Sequence, residues 1–139
     1  MRETTLSRLR ARFAMYDDLI AAVDDDLLAR KLDIAKHKSL AEHLWCVVGA
    51  RESYAKALAA GEWVGFACSL QNFTQADFAT ALTTSADAVL AACDGVQDWT
   101  DQRADLLATL AEHEVMHEGQ IIRHMYGLEQ PMPEDSQWA

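Results

Sequence analysis

The chain has 139 residues, 50% of them hydrophobic, enough to bury one core without disulfide or metal staples, so residues 1–139 read as a single domain. Its 22 acidic and 12 basic residues give a formal charge of -10, which argues against nucleic acid and anionic membrane surfaces as partners. The start MRETTLSRLR lacks the apolar core of a signal peptide and no apolar run is long enough to span a bilayer, so a cytoplasmic location is expected.

In chain order, Leu6, Leu9, Phe13, Tyr16, Ile20 and Val23 fall in steps of three and four, which predicts a first helix over about residues 4 to 25, ended by Asp24 to Asp26. Arg8, Arg10 and Arg12 lie two apart and spread around that helix, as solvated surface. The apolar first helix would also suit a symmetric dimer. Ser39 and Glu42 form an S-x-x-E capping box opening a second helix that carries Leu40, Leu44, Val47, Tyr54 and Leu58 up to Gly61. Thr74 and Asp77 form a similar box for a third helix, with Phe78, Leu82, Ala86, Val89 and Cys93 inward as far as Gly95. A fourth runs from about Asp101 to Tyr126, capped by Gly127 with Pro131 beyond. The segments WCVV and WVGF are the only strand candidates, one inside a helical period and the other too short for a sheet.

An all-helical fold with four principal helices follows. The connection from Glu62 to Phe73, about 12 residues, could reach roughly 40 Å when extended, longer than the roughly 33 Å of a 22-residue helix. It can therefore cross the bundle and let the second and third helices run parallel, an up-down-down-up arrangement, although an up-down-up-down bundle fits the same pattern. Trp63, Phe66 and Cys68 in this crossover read as a lid over the core. Cys46, Cys68 and Cys93 are widely separated with no CxxC, which suits free thiols in a reducing compartment.

The chemistry concentrates in the fourth helix. Its apolar stripe runs Leu106, Leu110, His113, His117, Ile121 and Leu128, which places two imidazoles one turn apart on the inner face. Such a pair either grips a metal ion or is satisfied by neighbouring polar groups. Residues 113 to 117, HEVMH, also match the H-E-x-x-H of zinc peptidases. That reading is disfavoured: Gly119 and His124 miss the extended spacing, and there is no sheet edge to hold a peptide. Glu114 and Glu118 follow the histidines directly and so point away from the inner stripe, toward solvent or a neighbouring helix, and read first as surface charge. His124 lies two turns beyond His117, too far for the same metal. On the second helix, Arg51 and Glu52 point in different directions as separate surface or interhelix contacts, and Tyr54 reads as a core aromatic with its hydroxyl at the edge.

The segment AEHEVMHEGQIIRHMYGLEQPMP resembles the last helix of DinB-like metal-binding proteins, which carry H-x-x-x-H followed by x-G-Q-I; here these are His113, His117, Gly119, Gln120 and Ile121. The segment SLAEHLWCVVGARESY resembles that family's second helix, which opens with Ser or Thr and carries a metal-binding His seven residues later, the place of Cys46 here. With the helix count and the crossover, the resemblance extends over almost the whole chain.

The resemblance implies a four-helix bundle with a divalent metal, Zn²⁺ or Ni²⁺, held in its core by one residue of the second helix and two histidines of the fourth, with positions open to water or substrate. Cys46 as a thiolate would make a Cys-His-His set with His113 and His117; otherwise it is a small buried hydrophobe. His43, one turn earlier, is the alternative ligand, or else a histidine at the bundle rim. Gln120 could hydrogen-bond a ligand or its water from behind. Some DinB-like proteins are transferases or isomerases that use a low-molecular-weight thiol, so the resemblance implies a thiol-dependent reaction on a small-molecule substrate with no protein nucleophile. The rival expectation is a non-catalytic bundle with a degenerate metal site, serving as a small-molecule binder or interaction module.

Overall fold

A computed structural model describes residues 2–139. Among these residues there are five helices and no strand: α1 (Arg2–Ala21), α2 (Asp25–Ala29), α3 (Leu40–Ala60), α4 (Gln75–Gly95) and α5 (Asp101–Gly127). The four long helices begin and end close to where apolar spacing and capping residues place them. Ser39 Oγ accepts from the Glu42 N–H at 3.1 Å while Glu42 Oε2 accepts from the Ser39 N–H at 2.7 Å, closing the capping box. Gly61 ends α3 at φ 85, a left-handed conformation that a side chain would oppose.

Two ends differ from expectation. The first helix stops at Ala21, and Asp24 opens α2 instead of closing α1, its carboxylate accepting from the Leu27 N–H at 2.8 Å. Gly127 is the last helical residue and not a left-handed cap; the residue just beyond the end with positive φ is Glu129, at φ 59. Gly127 is needed for space, since a Cβ there would run into the Leu32 side chain.

The packing is consistent with a helical bundle. α3 lies against α4 and α5, α1 lies against the same two helices, and α2 rests on α3. Gln75 Nε2 at the start of α4 donates to the Ile20 carbonyl near the end of α1 at 3.0 Å. Arg103 near the start of α5 donates to the carbonyls of Leu58 and Ala59 at the end of α3, at 2.8 and 3.1 Å. Two apolar clusters result: Tyr16, Leu44, Val48, Phe78, Leu82 and Ile121 belong to one, and Leu9, Phe13, Leu58, Val89 and Leu110 to the other.

Residues 61–74 run along α3 and are strapped to it. Glu52 accepts from the Ser69 N–H and hydroxyl at 2.8 and 2.6 Å, and Ser53 exchanges two hydrogen bonds with the Ala67 backbone at 3.0 and 3.1 Å. Phe66 comes so close that Gly49 has no room for a Cβ. Trp63 packs on Tyr54 and Phe66 on Trp45. Both crossover rings stay about half exposed, at 46% and 47%, so they cover the outer side of α3; only Cys68 of the expected lid packs against the core.

No described helix is long and apolar enough to cross a membrane. The three cysteines are free thiols.

Candidate metal centre

On α5, His113 and His117 stand one turn apart and face α3. Their rings lie 4.5 Å apart at 62°. From α3, Cys46 reaches the same place, and one potential ligand atom from each of Cys46, His113 and His117 lies within 4.8 Å of the others. This group could hold a metal ion.

The donors suit one. His117 is 2% exposed and burial, followed by the nearby rings of His113 and His43, pushes its pKa down to about 3. Burial likewise lowers that of His113. Both imidazoles are therefore neutral at pH 7, with a lone pair available, and a soft sulfur completes the set. His113 Nδ1 is buried with no hydrogen-bond partner. An orphaned imidazole nitrogen beside a thiol and a second imidazole is the situation a metal ion resolves.

His43 does not belong to the group within 4.8 Å but touches it. It is buried, and its Nδ1 lies 3.0 Å from His117 Nδ1, with the rings edge-on at 5.2 Å. One ring donates and the other accepts, so the pair shares a proton. Burial, then the charge of Lys38, pushes the His43 pKa down to about 4. It is a buried partner of a candidate ligand, not a histidine at an exposed rim.

Comparison with protein-family models, curated proteins and solved structures finds no match to this chain.

His124 lies outside the group, as its two-turn separation requires, and pairs with His37 instead: His37 Nε2 and His124 Nδ1 are 2.9 Å apart, with stacked rings. All five histidines of the chain thus line the α5 side of α3 and the segment leading into it. Gln120, expected behind the ligands, is exposed.

The polar groups packed behind the histidines are two that the sequence reading puts at the surface. Glu114 and Glu118 are both completely buried. Arg51 of α3 grips Glu114 through two parallel bonds, Nε to Oε1 at 2.7 Å and Nη2 to Oε2 at 2.9 Å, and its third nitrogen donates to the Leu82 carbonyl at 3.1 Å. The guanidinium also lies over the rings of Phe13 and Tyr16, at 4.4 and 5.2 Å. Arg12, expected to be solvated, is 6% exposed and pairs with Glu118, whose other oxygen accepts from Ser136 Oγ at 2.8 Å.

The error has a simple cause: α5 packs on both α3 and α1. Residues about 100° apart on one helix are then both buried: the histidines face Cys46 of α3, Glu114 meets Arg51 of α3 in the bundle interior, and Glu118 meets Arg12 of α1. A readable signal existed, because Glu114 and Glu118 continue the row of Leu107, Leu110, Ile121 and Ile122 while Arg12 and Arg51 interrupt apolar stripes on the other helices. Two buried acids needed two buried bases.

That ion pair also bears on the HEVMH motif. Both carboxylate oxygens of Glu114 accept from Arg51, which ties this carboxylate into a buried ion pair and weakens it as the base that a peptidase requires. A cavity of about 1000 Å³ between α1, α5 and Trp138 borders none of the three candidate ligands.

Proposed function

We propose that the chain is a DinB-like bundle in which Cys46, His113 and His117 hold a divalent metal, Zn²⁺ or Ni²⁺, and that it transfers or isomerises a small molecule with the help of a low-molecular-weight thiol. The observation that carries this is the convergence of one thiol and two neutral imidazoles from two different helices. The end-to-end contacts support the up-down-down-up arrangement: the end of α1 meets the start of α4, and the end of α3 meets the start of α5.

A bound divalent metal would supply the Lewis acidity that makes a thiol acidic enough to act as a nucleophile at neutral pH. The protein's part is positioning. Neutral, the half-buried His113 and the buried His117 present lone pairs without first losing a proton. His43 fixes the ring of His117 by their shared hydrogen bond. The Arg51–Glu114 pair locks α5 against α3 one residue from His113, so the two helices that carry the ligands keep their register. No protein side chain is assigned as the nucleophile.

A second reading is favoured by one observation. His43 Nδ1, 3.0 Å from His117 Nδ1, is close enough for His43 to act as a fourth donor, and four protein ligands would close the site as structural zinc sites are closed. The protein would then be a non-catalytic binder. Replacing the metal with Co²⁺ and adding 2-mercaptoethanol separates the two. An open site gives a saturable change in the visible spectrum; a stoichiometric Co²⁺ complex that ignores the thiol supports the closed reading.

A further inference from the structure

Beside Cys46 is a cavity of about 280 Å³ lined by Lys38, Glu42, Trp45, Cys46 and Phe73. We propose that it is a binding site for a small carboxylate with a flat apolar body, the ring lying between Trp45 and Phe73 and the carboxylate meeting Lys38. The proposal deepens the metal-site reading, because Cys46 is shared between the cavity wall and the candidate ligand group.

Three features point to that chemistry. The aromatic walls pack on further rings, Trp45 against Phe66 with ring centres 5.5 Å apart and Phe73 against the buried Phe78 at 5.7 Å. Flat apolar surface is what such walls recognise. The two charges lining the cavity are not equivalent. Glu42 is already answered, by the Lys31 ammonium at 3.1 Å and the Ser39 N–H at 2.7 Å. Lys38 has no hydrogen-bond or ion-pair partner among the described residues.

In a chain of net charge -10, Lys38 is an exposed ammonium without an acidic partner beside the Cys46 thiol. The cavity is about the size of a single-ring molecule, at the small end of ligand pockets.

Benzoate and its neutral analogue benzamide test this on the full chain. The readout is the indole N–H resonance of Trp45, assigned by its loss in Trp45→Phe, in metal-free and zinc-loaded protein whose zinc content is measured in the same sample. Benzoate is expected to shift the resonance saturably in both forms, benzamide to bind more weakly, and Lys38→Gln to weaken benzoate about fivefold while leaving benzamide unchanged. Equal binding of the two probes, or benzoate binding untouched by Lys38→Gln, overturns the proposal. So does benzoate binding confined to the zinc-loaded form, which would place the carboxylate on the metal. If zinc fails to bind and the benzoate pattern holds, the metal reading fails and the cavity assignment stands; if zinc binds and neither probe shifts Trp45, the reverse is true.

Discussion

Glu114 and Arg51 are both fully inaccessible to solvent and pair with each other, so neutralising one strands the other's charge in an apolar interior. Glu114→Gln should cost about 3–5 kcal/mol of unfolding free energy in chemical denaturation, while Glu114→Leu combined with Arg51→Met should recover most of it. A loss below about 1 kcal/mol for the single change would mean that water reaches the pair. The histidines make a separate, pH-dependent contribution. Burial holds His43 near 4 and His117 near 3, below the ordinary 6.5, so the unfolded chain takes up protons first on acidification. Their contribution is whole above about 6.5 and is lost as pH falls toward 4 and then 3. The unfolding midpoint of metal-free protein should therefore drop between pH 6.5 and 5, above the range where carboxylates ordinarily titrate; a flat profile there would contradict the burial of these rings. Because the imidazoles are already neutral at pH 7, metal binding should release about one proton, from the Cys46 thiol, and none in Cys46→Ser, as read by a pH-indicator dye in weak buffer.

At the scale of elements, what could be read from sequence was whatever repeats every three or four residues or caps an end: the four long helices, the Ser39 and Thr74 starts, the Gly61 stop, and the inward-facing row that includes His113 and His117. What could not was anything decided by a neighbour. Periodicity assigns one inner stripe to a helix, whereas α5 lies in a corner between α1 and α3 and buries two, which is how Glu114 and Glu118 escaped. The meeting of Cys46 with the histidines depends on the register of α3 against α5, and the pairing of His43 with His117 depends on the same register. Gly127 invites a reading as a left-handed cap, but its reason is the Leu32 side chain, which belongs to another segment. Gly49 is similar: it makes room for Phe66 of the crossover, and nothing within α3 requires it. Gly49→Ala should push the crossover outward without unfolding the core, because Phe66 is half exposed and free to swing. The measurable consequence is faster limited proteolysis within residues 62–73 at nearly unchanged thermal midpoint. Unchanged protection of that segment would show that the close approach is not what holds it.

Across the whole molecule, the apolar interior is divided into two clusters, and the Arg51–Glu114 pair sits between them, its guanidinium facing Phe13 of one and Tyr16 of the other. Charge in that layer contributes little net stability compared with a packed apolar core, but it fixes α3 against α5, and those are the helices that bring Cys46 to His113 and His117. The crossover, strapped to α3 by Glu52 and Ser53, leaves Phe73 at the edge of the cavity beside Cys46. Those three residues could hold a metal ion within this frame. Zinc titration at neutral pH against a chromophoric chelator, on protein purified without an affinity tag, tests it most directly. One zinc per chain is expected in the unmodified protein and in His43→Ala, with most of that zinc lost in both His117→Ala and Cys46→Ser; loss in His43→Ala with retention in Cys46→Ser, or no zinc in any of them, would contradict a Cys46, His113 and His117 metal centre.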